Sequence, residues 1–130
     1  METQIKITKK LDHPFFVASL QSDGIVHFEM KDVGDYTVEI VDAQTNVLLE
    51  FGKGKKLPIM LSFVSFCTPN EVTMKYASLD KNVRYTKSNA IVVDSLWLRL
   101  AAHFYLNFIK PNVPTKLFDS TEEAIKWLKK

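Results

Sequence analysis

The feature that most constrains the fold of this chain is the alternation of strand and helix patterns between residues 57 and 130. Residues 57–66 and 90–93 are nearly unbroken apolar runs, which are typical of strands covered on both faces. A helix pattern follows each run, and a short strand pattern at residues 115–118 precedes a last helix. Because consecutive parallel strands need crossover connections, we expect these strands to form a mostly parallel sheet.

Two sequence signals mark the start of the first helix in this half. Thr68 and Glu71 have the spacing of a capping box, and Pro69 falls at the first helical position, where its missing N–H costs nothing. The sequence therefore predicts a helix from this point to about Leu79.

Two further helices are marked by caps and a proline. Asp94 or Ser95 can cap a helix over residues 96–109, which Pro111 stops. A second capping box begins the last helix at Ser120, and its early acidic and late basic residues both suit the helix dipole.

The N-terminal half contains two strand patterns, at residues 15–20 and 25–31, separated by the turn signal Asp23-Gly24. They predict an antiparallel hairpin. The second strand alternates with period two, as in a sheet with one buried face, and this places His27 on the surface.

From residue 35 to 51 the apolar spacing becomes helical, and Gly52 and Gly54 are expected to end this helix. The element order is then ββαβαβαβα. We predict one α/β domain over residues 1–130, with a mixed, mostly parallel sheet and an N-terminal antiparallel hairpin.

Composition narrows the classes of partner. The formal net charge of the 130 residues is +2 with both signs interspersed, which gives no reason to expect nucleic acid or an anionic membrane as partner. The most apolar stretch, residues 96–109, is shorter than the roughly 20 residues of a membrane span. Cys67 is the only cysteine, and the three histidines lack metal-ligand spacing. We therefore expect no metal, no cofactor and a cytoplasmic location.

The order of elements and several local motifs resemble a known family. The motifs are Ala90-Ile91-Val92-Val93-Asp94-Ser95, the aromatic helix that follows it, the proline-bounded strand of residues 110–118 and the Trp-Leu helix of residues 122–128. Together they resemble a family of small uncharacterised bacterial proteins with the STAS-like fold, that of the sporulation anti-sigma factor antagonist.

The resemblance implies a place for a phosphorylation switch. In the antagonist group the phosphorylated serine lies just after a central strand, at the start of the next helix, and follows an aspartate. The matching position here is Pro69, or Thr68 if the alignment slips by one, and the Asp-Ser pair is absent. Thr68 is therefore either a phosphoacceptor, favoured electrostatically at a helix N-terminus, or only a helix cap.

A polar group follows the second buried strand. Asp94, Ser95, Arg99 and His103 lie where open α/β sheets bind ligands, and the last three are spaced four residues apart. They form either a polar ligand site or a helix cap and the solvent edge of that helix.

The same helix is unusually apolar, because its large side chains cover roughly two thirds of its circumference. Either neighbouring helices complete its burial, or part of it stays exposed for a partner, a second subunit or an apolar ligand. The candidate partner-binding residues are Trp97, Phe104, Tyr105 and Phe108.

The leading hypothesis is a non-enzymatic STAS-like module for protein interaction or regulation, which lacks the usual phosphoacceptor serine and binds a protein partner or itself. The alternative is a small-molecule or lipid-binding domain with an apolar cavity under the helix of residues 96–109. The third hypothesis is a cryptic enzyme that uses Asp94, Arg99 or His103. It ranks last because the glycine-rich phosphate loop and the nucleophile elbow are both missing from the sequence.

Overall fold

The computed structural model of this chain describes residues 5–63, 68–69, 71–93, 95–96, 99–100 and 113–130, with the backbone alone for residues 68–69. Eight strands and four helices lie within these ranges. In chain order they are β1 Ile7–Asp12, β2 Phe16–Gln21, β3 Val26–Met30, β4 Asp35–Tyr36, α1 Val38–Gly52, β5 Leu57–Phe63, β6 Thr68–Pro69, α2 Glu71–Ala77, α3 Asp80–Val83, β7 Thr86–Val92, β8 Thr115–Phe118 and α4 Thr121–Leu128.

Six strands form one sheet in the order β1-β2-β3-β5-β7-β8, and β4 pairs with β6 in a second, two-stranded sheet. β1, β2 and β3 are antiparallel, and every pair from β3 to β8 is parallel. The predicted fold class, a mixed α/β sheet with an N-terminal antiparallel hairpin, is confirmed. The Gln21–Ile25 turn closes as expected, with Gly24 at a φ of 89°.

The edge strand β1 was missed by the prediction from sequence. All six of its residues are exposed, so it has no buried face whose period could reveal it. Lys9 and Lys10 lie at its centre, and charged side chains on an edge strand disfavour pairing with another chain.

Both faces of the sheet carry a hydrophobic core. On the α1 face, Phe16, Phe28 and Leu61 pack against Ile40 and Leu48 of α1. Ile59 and Leu61 in β5 are buried on this side and Met60 on the other, which confirms that β5 is covered on both faces.

The opposite face is covered by α4. Met60, Ala90 and Ile25 pack there against Ala124 and Leu128. Ala90 and Ala124 are both fully buried, and because their side chains are small, the helix can approach the sheet closely.

The environment of His27 differs from the prediction. His27 shares its sheet face with Ile25, which is fully buried, and its own side chain is half-buried. The prediction of a surface histidine was wrong because this face is covered by other elements, which a single strand pattern does not reveal.

Helix α1 begins at Val38 rather than at residue 35. Thr37 is its N-cap, and its hydroxyl oxygen accepts a hydrogen bond from the N–H of Ile40 at 3.4 Å. The helix ends at Gly52, and Lys53 takes the left-handed conformation with a φ of 51°. Gly52 is thus the last helical residue, and the capping conformation falls on a lysine.

The predicted helix start at Thr68 and Pro69 was wrong. Both residues have extended backbone in β6, in parallel register with Asp35 and Tyr36 of β4, and α2 begins only at Glu71. Pairing with β4 gives this short extended segment backbone partners. The helix predicted to continue to about Leu79 ends as α2 at Ala77, and a separate helix, α3, begins at Asp80.

The last part of the described chain agrees with the prediction. Ser120 caps α4, with its hydroxyl oxygen accepting from the N–H of Glu123 at 3.2 Å. Leu96, Arg99 and Leu100 have helical backbone, and the N–H of Arg99 donates to the carbonyl oxygen of Ser95 at 3.0 Å. The helix predicted for residues 96–109 therefore begins where expected, and residues 101–112 lie outside the described residues.

Candidate functional site

Two members of the polar group predicted from sequence, Ser95 and Arg99, follow the carboxyl end of β7. Ser95 is half-buried and Arg99 is exposed. The guanidinium Nη1 of Arg99 lies 3.5 Å from Oδ2 of Asp119, which directly follows β8. Asp94 and His103 lie outside the described residues.

Asp119 was missed by the sequence reasoning, although its position just after a parallel strand is the signal that pointed to Asp94. The Arg99 side chain is 43% exposed and that of Asp119 is 63% exposed. An ion pair this open to solvent contributes little energy. Among the described residues, the contact at this edge is a solvent-exposed ion pair, and the polar ligand site stays a prediction.

The candidate aromatic residues Trp97, Phe104, Tyr105 and Phe108 lie outside the described residues. Their apolar neighbours Leu96 and Leu100 are described, and their exposures are 65% and 55%. They are four residues apart on helical backbone, so they lie on one side of it. We call these two residues the Leu96–Leu100 face.

Thr68 lies in β6, three residues before α2 begins, and its side chain is not described. The electrostatic reason given for its phosphorylation was a position at a helix N-terminus. Its backbone does not hold that position, so its role as phosphoacceptor stays a prediction without that support.

A histidine and a serine meet on the α4 side of the sheet, a contact that sequence reasoning missed. Nε2 of His27 in β3 lies 2.6 Å from Oγ of Ser62 in β5, and both are half-buried. Burial lowers the pKa of His27, and the Glu29 carboxylate two residues along the strand opposes this in part. The imidazole is therefore neutral at pH 7. The residues are 35 apart in sequence, so no local pattern could have joined them.

A neutral histidine against a serine hydroxyl has the geometry of a base and a nucleophile. An acyl-transfer site also needs free N–H donors near the serine to stabilise the oxyanion. Ser62 lies in an interior strand, in register with Glu29 on one side and Val92 on the other. The described contact is a hydrogen bond between side chains of two paired strands of the sheet.

A cavity of about 110 Å³ lies between α1, α3 and the parallel strands of the sheet. Phe28, Ile59 and Leu61 contribute apolar side chains to its lining, while Asn82 and Asn89 contribute amides. None of the lining residues that the structure describes is charged.

Two negative findings hold for the described part of the chain. Its His, Asp and Glu side chains include no group of three placed to hold a metal ion. No helix in the same ranges has the length and apolar character needed to cross a membrane.

Comparison with known proteins identifies a family and a fold. The model of the family described as "Domain of unknown function (DUF7793)" matches residues 19–130. No curated protein matches the chain.

Two solved structures are similar to this chain. An uncharacterised protein of the DUF3478 family from Shewanella loihica PV-4, described as having a SpoIIAA-like fold, is 16% identical with a TM-score of 0.52, and the match covers 98% of each chain. A protein of unknown function from Arthrobacter sp. FB24 is 18% identical with a TM-score of 0.32, and the match covers 85% of this chain and 90% of that one. The backbone similarity of this chain to the first of these structures agrees with the STAS-like fold predicted from sequence.

Proposed function

Given that this chain belongs to the DUF7793 family, a domain of unknown function, and has a SpoIIAA-like fold, we propose that it is a non-enzymatic protein-interaction module. The fold alone does not specify a function, so the proposal rests on surface features. The observation that carries it is the exposure of the Leu96–Leu100 face.

Two leucines exposed at 65% and 55% on one turn of helix are a source of binding energy. Covering the exposed part of each stabilises a complex by about 1 to 2 kcal/mol, at the usual area coefficient for apolar surface. In the sequence, Phe104 and Phe108 continue the four-residue spacing from Leu100. The Arg99–Asp119 ion pair beside them supplies the polar rim that protein interfaces have around an apolar centre.

The absence of enzyme activity is part of the proposal. The His27–Ser62 contact, the pairing closest to a catalytic one among the described residues, joins paired strands in the interior of the sheet, which supports a structural role for it. Regulation through Thr68 remains a prediction, and Thr68→Ala is expected to leave partner binding unchanged if Thr68 has a structural role only.

Site-specific photo-crosslinking tests the interaction proposal. A photoreactive phenylalanine analogue at position 100, in the full chain expressed in its native cells, is expected to give a discrete adduct with one partner or with a second copy. The same analogue at exposed Glu39 on α1 is the control. Leu96→Asp should abolish the adduct from position 100. A ladder identical from both positions, or no adduct together with a monomer by light scattering, would contradict the proposal.

The alternative function is small-molecule or lipid binding, for which an apolar cavity under the helix of residues 96–109 stays a prediction. A different cavity, the one described between α1, α3 and the sheet, is the observation in its favour. Its volume of about 110 Å³ is too small for a long acyl chain, so it supports a small molecule and not a lipid.

A further inference from the structure

We propose that one end of this domain docks on an anionic membrane surface, such as a bilayer that contains phosphatidylserine. The residues that carry the proposal are six exposed lysines, which we call the lysine end: Lys6, Lys53, Lys55, Lys56, Lys87 and Lys129. The Leu96–Leu100 face follows the opposite end of strand β7, so this site does not depend on the interaction proposal.

The topology of the sheet brings these lysines together from distant parts of the sequence. Because β3, β5, β7 and β8 are parallel, their amino ends lie at one end of the sheet. Lys53, Lys55 and Lys56 form most of the loop between α1 and β5. Lys87 is the second residue of β7, the strand that pairs with β5. Four of the lysines therefore lie at the amino ends of two neighbouring strands.

The other two lysines reach the same end through hydrogen bonding and packing. The N–H of Lys6 donates to Oγ of Ser22 at 3.1 Å, and Ser22 lies in the turn that leads into β3. Helix α4 runs back from the carboxyl end of β8, and its last residue, Leu128, belongs to the same core cluster as Ile25, which directly precedes β3. Lys129 follows Leu128 and so lies toward the amino ends of the strands.

The positive charge of the lysine end is not balanced locally. None of its six lysines forms an ion pair with an acidic side chain that the structure describes. Asp23, in the turn before β3, is half-buried, and its Oδ1 accepts from the N–H of Ile25 at 3.2 Å. Glu50 is an exposed acid in the last turn of α1, and Asp80 is paired with Arg84. The lysines therefore outnumber the acids near them.

Exposed acidic side chains collect at the opposite end of the sheet. Asp35 and Glu39 lie at the start of α1, and Asp119 and Glu122 lie between β8 and the first turn of α4. Strand β5 spans about 20 Å between the two ends, which exceeds the screening length of roughly 8 Å at physiological ionic strength. The ends therefore act as separate charged surfaces, although the two signs are interspersed along the sequence.

The shape of the lysine end favours a membrane over a nucleic acid. From β1 to β7 it crosses four strand spacings, about 19 Å, and it extends to the helix layers that lie roughly 10 Å away on each side of the sheet. It is thus a broad patch and not a groove for one nucleic acid strand. All its cations are lysines, whereas bidentate recognition of nucleic acid phosphates favours arginine.

An exposed leucine beside the lysines also suits a bilayer. Leu49 lies in the last turn of α1 and is 46% exposed, and its carbonyl oxygen accepts from the N–H of Lys53 at 3.0 Å. An apolar side chain next to cations can enter the headgroup region of an anionic membrane. The acidic end, which such a surface repels, would then face away from the membrane.

Co-sedimentation of the full chain with lipid vesicles tests the proposal. We expect binding to phosphatidylcholine vesicles with about one third phosphatidylserine, no binding to phosphatidylcholine alone, and loss of binding in high salt. One lysine near an anionic surface strengthens binding by about fivefold. The triple variant Lys53→Gln, Lys55→Gln, Lys56→Gln should therefore bind more weakly by on the order of a hundredfold.

A matched control separates the lysine end from net charge. The triple variant Lys31→Gln, Lys75→Gln, Arg99→Gln removes the same charge from exposed residues away from the lysine end, and it should keep the affinity of the unaltered chain. A second test variant, Lys6→Gln with Lys87→Gln, changes two other elements and should weaken binding by roughly twentyfold. Because every replaced side chain is exposed, these variants should fold like the unaltered chain.

Four results would overturn the proposal. The first is an absence of binding to the anionic vesicles. The second is an equal loss in the control triple variant, which would mean that net charge alone drives the attraction. The third is unchanged binding of Lys6→Gln with Lys87→Gln, since the loop after α1 would then act alone. The fourth is tighter binding to a DNA duplex at the same salt concentration, which would identify nucleic acid as the partner.

Discussion

The contact between Phe16 and Phe28 allows a quantitative test of the α1-face core. Phe16 in β2 and Phe28 in β3 are almost fully buried, at 0% and 1% exposure. Their ring centroids are 5.0 Å apart with an interplanar angle of 84°, an edge-to-face arrangement. The perturbation is the pair of substitutions Phe16→Leu and Phe28→Leu, made singly and together.

The magnitude follows from two terms. Replacing a buried ring with leucine is a swap between hydrophobic residues of similar size, which lowers the free energy of unfolding by about 1.5 kcal/mol or less at each site. The edge-to-face contact adds about 0.5 to 1.5 kcal/mol beyond burial. Because either substitution alone removes that contact, the double variant should lose less stability than the sum of the single losses, by about 0.5 to 1.5 kcal/mol.

Equilibrium unfolding in urea measures the four free energies needed for this cycle. The control cycle combines Phe16→Leu with Leu128→Ala, since Leu128 belongs to the core on the other face of the sheet. The control losses should add within about 0.5 kcal/mol. If the Phe16–Phe28 cycle is also additive within that margin, the edge-to-face contact contributes no measurable free energy to folding and the reasoning fails.

Three further predictions concern a cap, a buried amide and a titrating group. Ser120→Ala should lower the free energy of unfolding by about 1 kcal/mol by removing the cap of α4, while Ser120→Asp should retain it; an equal loss in both, measured in urea, would contradict the capping role. Thr45→Val should cost about 1 to 3 kcal/mol because it removes the donor to the buried amide of Asn82, and Thr45→Ser should restore most of that. Burial lowers the pKa of His27 in the folded chain, so the unfolded chain binds more protons below its own pKa of about 6.5. The free energy of unfolding should therefore fall as the pH drops through the pKa of His27 in the unfolded chain, and it should level off below the pKa of His27 in the folded chain. If the melting temperature of His27→Gln depends on acid pH in the same way as that of the unaltered chain, this prediction is refuted.

Much of the fold could be predicted from local signals. The Ser120 cap, the Asp23-Gly24 turn and the doubly buried strand β5 each depend on residues close together in sequence, and the structure confirms all three. Crossover geometry then led from buried strands to a parallel arrangement.

The candidate site could be predicted only in part. Helical backbone at Leu96 and Leu100 follows from the sequence pattern, but their exposure depends on which elements cover that helix face. Asp119 joins Arg99 only because β8 lies beside β7 in the sheet.

The sequence by itself determined the alternation of central strands and helices, the parallel connections and the start of the last helix, because hydrophobic period and caps act over a few residues. Tertiary structure decided what depends on distant partners. Thr68 and Pro69 are extended because β4, more than 30 residues earlier, offers them a pairing edge. Likewise, His27 meets Ser62, and Asn89 comes to line a cavity, because three strands lie side by side. Such contacts depend on which segments become neighbours after folding, and no local window of sequence contains that information.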